Sequence, residues 1–290
     1  GGQPPQPPEA SQPVPKNAPL DPSIKNVPAT TGHANQPQTP APFAIATIGT
    51  FDGPFAMAFL PEGALLVTEK AGVLKLRWAD GEVVTVGNPP SVAKGGQGGL
   101  LDVAVAPDYA ASHAIYLSYA EPGDKGSALA LARGELKIVP VTCVRAPCPR
   151  QAQLENLRVI WRSGSNGPGG QFGANIAFAP DGKSLFLSSG ERQRFTPAQD
   201  PLQGLGKIMH LTLDGKPAPD NPMYPETPIK AATWSSGHRN PYGLAFAPDG
   251  KLWEAELGPR GGDELNLIER GKNYGWPVVS NGDNYSGQPI

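Results

Sequence analysis

Three glycine-rich polar stretches, the last in two parts, hold the side chains best suited to chemistry. They read KGGQGGLLDVAVAPD (94–108), GPGGQFGANIAFAPDGKSLFLSSGERQRFTPAQDP (167–201), and SGHRNPYGLAFAPDG (236–250) with ELGPRGGDELNLIERGKNYGWP (256–277). Glycines around one polar side chain let a backbone approach a ligand closely while that side chain reaches it. The polar residues framed in this way include Gln97, Gln171, Arg192, Arg239, Asn240, Asp263 and Glu264. Taken singly, each stretch is a weak signal, and one such as GGQGG is more often an ordinary loop.

Groups able to move a proton are scarce. Of the four histidines, His33 falls in the N-terminal stretch, His113 and His210 sit in strand-like runs and read as structural, and His238 adjoins Arg239. His238 reads as a support for its neighbour, and Glu191 is the other candidate, since a partly buried carboxylate can have its pKa raised toward neutrality. The two cysteines, Cys143 and Cys148, lie in PVTCVRAPCPR with no further metal ligands nearby. A local disulfide is the expectation there; so short a loop would add about 2 kcal/mol at best.

The elements that must position these residues show as a repeat. The segments at 56–70, 103–121, 176–191 and 244–258 each hold an apolar strand, a turn begun by Pro, and a second apolar strand. The Pro residues are Pro61, Pro107, Pro180 and Pro248. Pro presets the turn dihedral, Asp bonds the local backbone, and Gly takes the positive φ. Between the repeats lie further alternating runs, such as VLKLRW (73–78), where Leu74, Leu76 and Trp78 share one side and Lys75 and Arg77 the other. Short strands and tight turns repeated at this length predict β-propeller blades, with a β-sandwich as the alternative.

Composition narrows the field. Gly (36) and Pro (35) are too frequent among 290 residues for a helical protein. A net charge of -2, from 24 Lys+Arg and 26 Asp+Glu, gives no basic excess for a nucleic-acid backbone. No apolar run approaches the roughly 18 residues of a membrane-spanning helix. Twelve Pro fall in residues 1–42, which read as an extended linker or leader before a propeller domain at 43–290. A Pro-rich leader before a Gly-rich β domain, with no initiator Met, predicts an exported bacterial protein, periplasmic or secreted, or tethered through that leader.

In this order, each beside its repeat, the motifs resemble one family closely. It is the soluble pyrroloquinoline-quinone (PQQ)-dependent sugar dehydrogenases, the glucose/sorbosone and aldose sugar dehydrogenase group. The resemblance runs from residue 44 or so to the end. GHRNPYGLAFAPDGKLWEAELGPRGGDELNLIERGKNYGWP carries it most specifically, and GGQGGLLDVAVAPD and AQDPLQGLGKIMHLTLDGKPAPDNP support it. The resemblance implies a six-bladed β-propeller with about four blades in this chain, truncated at the C-terminus. It implies PQQ and Ca²⁺ as cofactors and oxidation of an aldose at C1 to its lactone, with electrons passed to an external acceptor. Arg239 and Asn240 match the family's cofactor-contacting pair, and Gln97 a glutamine near cofactor and substrate. The carbonyls of Gly258 and Pro259 match ligands of the Ca²⁺ that sits on PQQ, and Asp263 and Glu264 match acidic residues that help hold structural Ca²⁺.

The chain departs from the family pattern at several positions. Gln171 stands where the family has its general-base His; glutamine accepts no proton near neutral pH, and a missing base typically costs about 10²–10⁴ in rate. Asn175 replaces an expected Arg, and Arg192 an expected Gln, which adds a cation suited to an anionic ligand. Leu257 replaces a polar residue that faces the cofactor. These departures keep a second reading open, a non-catalytic propeller that binds a sugar or a partner protein. A Ca²⁺-dependent lactonase ranks last, because the acidic residues at 263–264 are too few and too local.

Overall fold

A computed structural model describes residues 44, 46–139, 150–288 and 290. Cys143, Cys148 and the whole Pro-rich stretch at 1–42 lie outside the described residues. The chain divides into two units, residues 1–46 and residues 47–290, and the second carries all the strands and helices among the described residues.

Each sequence repeat forms the first hairpin of a blade. The first blade comprises β1 (Pro54–Phe59), β2 (Leu65–Glu69), β3 (Val73–Arg77) and β4 (Val83–Gly87). The second comprises β5 (Leu100–Val105), β6 (Ala114–Gly123), β7 (Gly126–Val139) and β8 (Gln151–Arg162). The third holds β9 (Gly173–Phe178), β10 (Ser184–Ser189), β11 (Lys207–Thr212) and β12 (Thr233–Ser236), and the fourth β13 (Pro241–Phe246), β14 (Leu252–Glu256) and β15 (Glu264–Leu267). Within each blade the strands pair antiparallel in chain order. The first strands β1, β5, β9 and β13 are successive neighbours, so they form the inner edge of the propeller. The blades are not wholly separate, however. The outer strands β4 and β8 pair in parallel through Val86↔Ala152 and Gly87↔Gln153, which joins the first two blades into one eight-stranded sheet.

The turns form as their residues dictate. Gly182 and Gly250 take φ of 69° and 82°. Asp181 and Asp249 accept hydrogen bonds from the Lys183 and Lys251 amides at 2.9 and 3.1 Å. The second repeat, with Tyr in place of Gly, instead makes one helical turn, α1 (Tyr109–Ser112), closed by His113 at φ 50°. His113 is therefore a helix cap and not a strand residue.

The core lies between the faces of adjacent blades. On β6, Ile115, Leu117 and Tyr119 pack toward the first blade, while Ala114, Tyr116 and Ala120 pack toward the third. On β10, Leu185 and Leu187 face the second blade and Phe186 the fourth. Strands buried on both faces read as continuous apolar runs, and each Leu or Ile so buried stabilises the fold by about 1.5–3 kcal/mol. His210 belongs to this packing, as the sequence suggests. Its ring stacks on Phe186 at 4.1 Å, and its nitrogens meet Asn221 and Ser184 at 2.9 and 2.8 Å.

Candidate functional site

The blade architecture delivers the candidate side chains to one end of the inner strands. Gln97 stands just before β5, Gln171 just before β9, and Arg239 and Asn240 just before β13. Antiparallel pairing returns β10 and β14 to the same end, which places Glu191 and Arg192 after β10 and Leu257 to Pro259 after β14.

Gln97 and Gln171 meet directly. The Gln97 Oε1 accepts the Gln171 amide at 2.6 Å and the Tyr242 hydroxyl at 3.2 Å. Two glycines make this approach possible. A Cβ on Gly170 would meet the Gln97 side chain at 2.9 Å, and one on Gly190 would collide with the Gln171 carbonyl. Gln171 itself holds φ at 57°. Its side-chain Oε1 accepts the Gln193 amide at 3.2 Å, and the same amide reaches Glu191 Oε1 at 3.1 Å. Gln171 and Glu191 are thus neighbours about one donor. The side-chain nitrogens of Gln97 and Gln171 take no part in these contacts.

Glu191 is buried and accepts backbone amides from Gln193, Arg194 and Phe195. Burial pushes its carboxyl above the ordinary range, against those hydrogen bonds and the nearby Arg239 charge. Its own amide donates to the Arg239 carbonyl at 2.9 Å.

Arg239 is the cation at the centre. Its Nη1 donates to the Leu257 and Gly258 carbonyls at 2.7 and 2.9 Å, and its Nη2 to the Tyr285 hydroxyl at 3.2 Å. The guanidinium lies 5.3 Å from the Trp276 ring, within cation–π range. Its Nε is buried with no hydrogen-bond partner in the protein. Asn240 Oδ1 accepts the Gly173 amide at 3.3 Å, across the blade boundary.

Arg192 is placed differently. Only 1% exposed, its guanidinium donates to the carbonyls of Ser127, Gly167, Gly169 and Gly170 and to the Ser127 hydroxyl at 2.8–3.3 Å. It also lies 3.8 Å over the Phe172 ring. Burial lowers its pKa to about 10. Arg192 organises the 167–170 loop, and its donors are spent on that loop and Ser127 instead of being presented to a cofactor.

Around the last turn, Asp263 Oδ1 accepts the Gly258 amide at 2.8 Å, while Glu264 Oε2 accepts the Asn266 side-chain amide at 3.1 Å. Leu257 points into solvent. His238 pairs with Ser235 and Glu256, apart from Gln171 and Gln97. It is fully buried, with its nitrogens 2.9 Å from Ser235 Oγ and 3.1 Å from Glu256 Oε2.

Sequence reasoning missed Tyr242, Gln193, Trp276, Glu254 and Glu256. For the two glutamates a signal existed: in LWEAELG they alternate with apolar residues, which puts both on one face of β14.

The fold and this cluster define a β-propeller whose inner strands converge at one end on a polar cluster. The chain matches the family described as Glucose / Sorbosone dehydrogenase over residues 51–290. It is 40% identical over 246 residues to the aldose sugar dehydrogenase YliI of Escherichia coli, covering 82% of this chain and 62% of that protein. It is 31% identical over 279 residues to quinoprotein glucose dehydrogenase B of Acinetobacter calcoaceticus, covering 85% of this chain and 56% of that one. Among solved structures, the PQQ-bound aldose sugar dehydrogenase of Streptomyces coelicolor superposes with a TM-score of 0.68 at 33% identity, over 82% of this chain and 66% of that one. The chain therefore belongs to the glucose/sorbosone dehydrogenase family, and it spans less than two thirds of the length of these curated relatives.

Proposed function

We propose that this protein is a PQQ- and Ca²⁺-dependent aldose dehydrogenase that oxidises C1 of a sugar to the lactone. The electrons pass to an external acceptor. The observation that carries this reading is the convergence of Gln97, Gln171, Arg239 and Asn240 at one end of the inner strands.

The residues fit the cofactor's chemistry. PQQ bears three carboxylates and an ortho-quinone, and it needs cations and hydrogen-bond donors. Arg239 offers a buried Nε without a protein partner; Asn240 follows it in the chain, and Gln97 lies at the same end of the inner strands. Arg192 adds only its positive charge, with no carboxylate paired to it among the described residues. For Ca²⁺, a hard cation that takes oxygen ligands, the carbonyls of Gly258 and Pro259 would be the donors, the Gly258 oxygen sharing its second lone pair with Arg239 Nη1. Asp263 fixes their turn through the Gly258 amide, and Glu264 contributes charge nearby. Bound PQQ supplies a two-electron acceptor.

Oxidation at C1 removes two electrons and two protons, so the chain must also take up a proton. Gln171 can hold a sugar hydroxyl by hydrogen bonding but cannot take its proton. Glu191, its neighbour across the Gln193 amide, is the carboxylate best placed to do so, and burial has already raised its affinity for a proton.

The domain reading goes with the function: a Pro-rich leader at 1–42 before one propeller domain at 43–290, in an exported, periplasmic or secreted protein. Among the described residues no helix is long and apolar enough to cross a membrane.

The test is a PQQ titration with and without Ca²⁺. Trp276, beside Arg239, serves as the fluorescent reporter. Saturable, Ca²⁺-dependent quenching followed by dye reduction with an aldose is the expected result. A folded chain that binds no PQQ, or binds it and reduces no dye with any aldose, would overturn the proposal.

A further inference from the structure

Blade four carries a polar cluster that the proposed reaction does not use. In the β14–β15 register Glu254 lies opposite Asn266 and Glu256 opposite Glu264. Residues two apart on a strand share a face, so carboxylates and an amide stand together in a layer that elsewhere holds apolar side chains. His238 enters this layer from the segment before β13, its ring stacked 4.8 Å from Tyr274. His238, Glu254 and Glu256 are 0%, 1% and 6% exposed. One imidazole nitrogen and one oxygen of each carboxylate lie within 4.8 Å of one another.

Carboxylates this deep must be compensated. Glu256 has partners: the Arg239 amide on Oε1 and His238 Nδ1 on Oε2. Glu254 does not. Its Oε2 accepts only the Asn266 amide at 3.1 Å, and its Oε1 is buried with no partner at all. No Lys or Arg among the described residues pairs with it. Burial and the adjacent Glu256 push its carboxyl up to about 9. A buried polar atom left unpaired calls for an explanation, and an ion is one of the few available.

We propose that His238, Glu254 and Glu256 bind a first-row divalent cation, zinc in preference to manganese, at a structural site behind Arg239. The donor set selects the metal. Two carboxylates balance a doubly charged ion, and an imidazole nitrogen favours zinc-like ions over calcium, which takes six to eight oxygens. The surrounding partners already orient the ligands. Ser235 Oγ holds His238 Nε2 and leaves Nδ1 facing the cluster, Asn266 holds Glu254, and the Arg239 amide holds Glu256. The ion would tie β14 to the segment that carries Arg239. This site is separate from the Gly258–Pro259 turn, whose side-chain partner is Asp263.

The test uses the full chain, stripped with chelator and refolded with zinc, manganese or calcium, then dialysed and assayed for bound metal and melting temperature. The expected result is one zinc per chain with a raised melting temperature. Glu254→Gln, which keeps the shape but not the charge, should weaken zinc by more than the roughly 10–100-fold typical of losing an outer-shell partner. Failure to retain zinc or manganese, equal retention by Glu254→Gln, or stabilisation by calcium alone would overturn the proposal. Cobalt substitution of the unmutated chain gives a readout that needs no variant. Visible bands of a low-coordinate nitrogen–oxygen site support the proposal, and their absence overturns it.

Discussion

Lys207 opens β11 from inside the fold, 1% exposed, and its ammonium donates to the carbonyls of Pro197, Ala198 and Leu205 at 2.7, 2.9 and 2.8 Å. Lys207→Met keeps most of the stem and removes the charge. Two of the three carbonyls keep another donor: Pro197 has the Asp200 amide and Ala198 the Gly237 amide, both at 3.1 Å. The Leu205 carbonyl has none among the described residues, so one buried acceptor is orphaned, at a cost of about 1–3 kcal/mol. The remaining gain from charge-assisted bonding is largely offset by the desolvation of the ammonium. At pH 6, then, the substitution should cost about 1–3 kcal/mol, or roughly 2–4 °C of melting temperature per kcal/mol for a domain of this size.

The cost should grow with pH. Burial lowers the Lys207 pKa from 10.5 to about 7. A folded-state pKa below the unfolded one means that the unfolded chain binds more protons between pH 7 and 10.5, so stability rises with pH across that window. At about 1.4 kcal/mol per unit, wild type should gain roughly 2–3 kcal/mol by pH 9 that the Met variant cannot. Urea unfolding of both proteins at pH 6 and pH 9, followed by tryptophan fluorescence, measures the difference. An equal cost at the two pH values would show that the three carbonyls outweigh desolvation and would refute the reasoning. The result also bears on the site. Gln199, in the segment Lys207 secures, donates to the Trp276 carbonyl at 2.6 Å, beside Arg239.

Three further substitutions test other parts of the structure. Gln171→His should change sugar-dependent dye reduction of the PQQ- and Ca²⁺-loaded protein by less than about tenfold, because Glu191 already supplies the base; a rise of about 10²-fold would show that Glu191 does not take the proton. Arg239→Gln should weaken PQQ by at least about tenfold in the fluorescence titration, since it removes the buried Nε donor and a cation. Burial lifts the Asp102 carboxyl from 3.8 to about 6. That raised folded-state pKa means stability present below pH 4 is lost as pH rises through 6, so Asp102→Asn should gain up to about 3 kcal/mol relative to wild type between pH 4 and 7. Parallel unfolding curves across that range would count against it.

The blade hairpins were legible because their information is local. Pro, Asp and Gly fix the turn within four residues, and the apolar run on either side fixes which strands pair, so the segments at 56–70, 103–121, 176–191 and 244–258 match β1–β2, β5–β6, β9–β10 and β13–β14. The gathering of Gln97, Gln171, Arg239 and Asn240 was legible for a related reason. Each precedes the inner strand of its blade, and a repeated architecture carries equivalent positions to the same place. The parallel pairing of β4 with β8 was not, because two edge strands meet across 65 residues of chain without any turn to announce them.

Arg192 and Glu254 show where reading by residue type stops. Both are charged, and a charged residue in a glycine-rich or strand segment is first read as facing ligand or solvent. Arg192 instead turns away to bind loop carbonyls, since the 167–170 backbone passes close enough to offer several acceptors at once. Glu254 turns into a layer between strands, where its Oε1 finds no donor. In both cases the deciding partners lie on other strands or loops, and their number is set by packing and not by neighbouring sequence. The two outcomes differ in a way that can be measured. Arg192 is satisfied by the protein alone, so its contribution to stability should not depend on added metal, whereas that of Glu254 should rise when zinc is present.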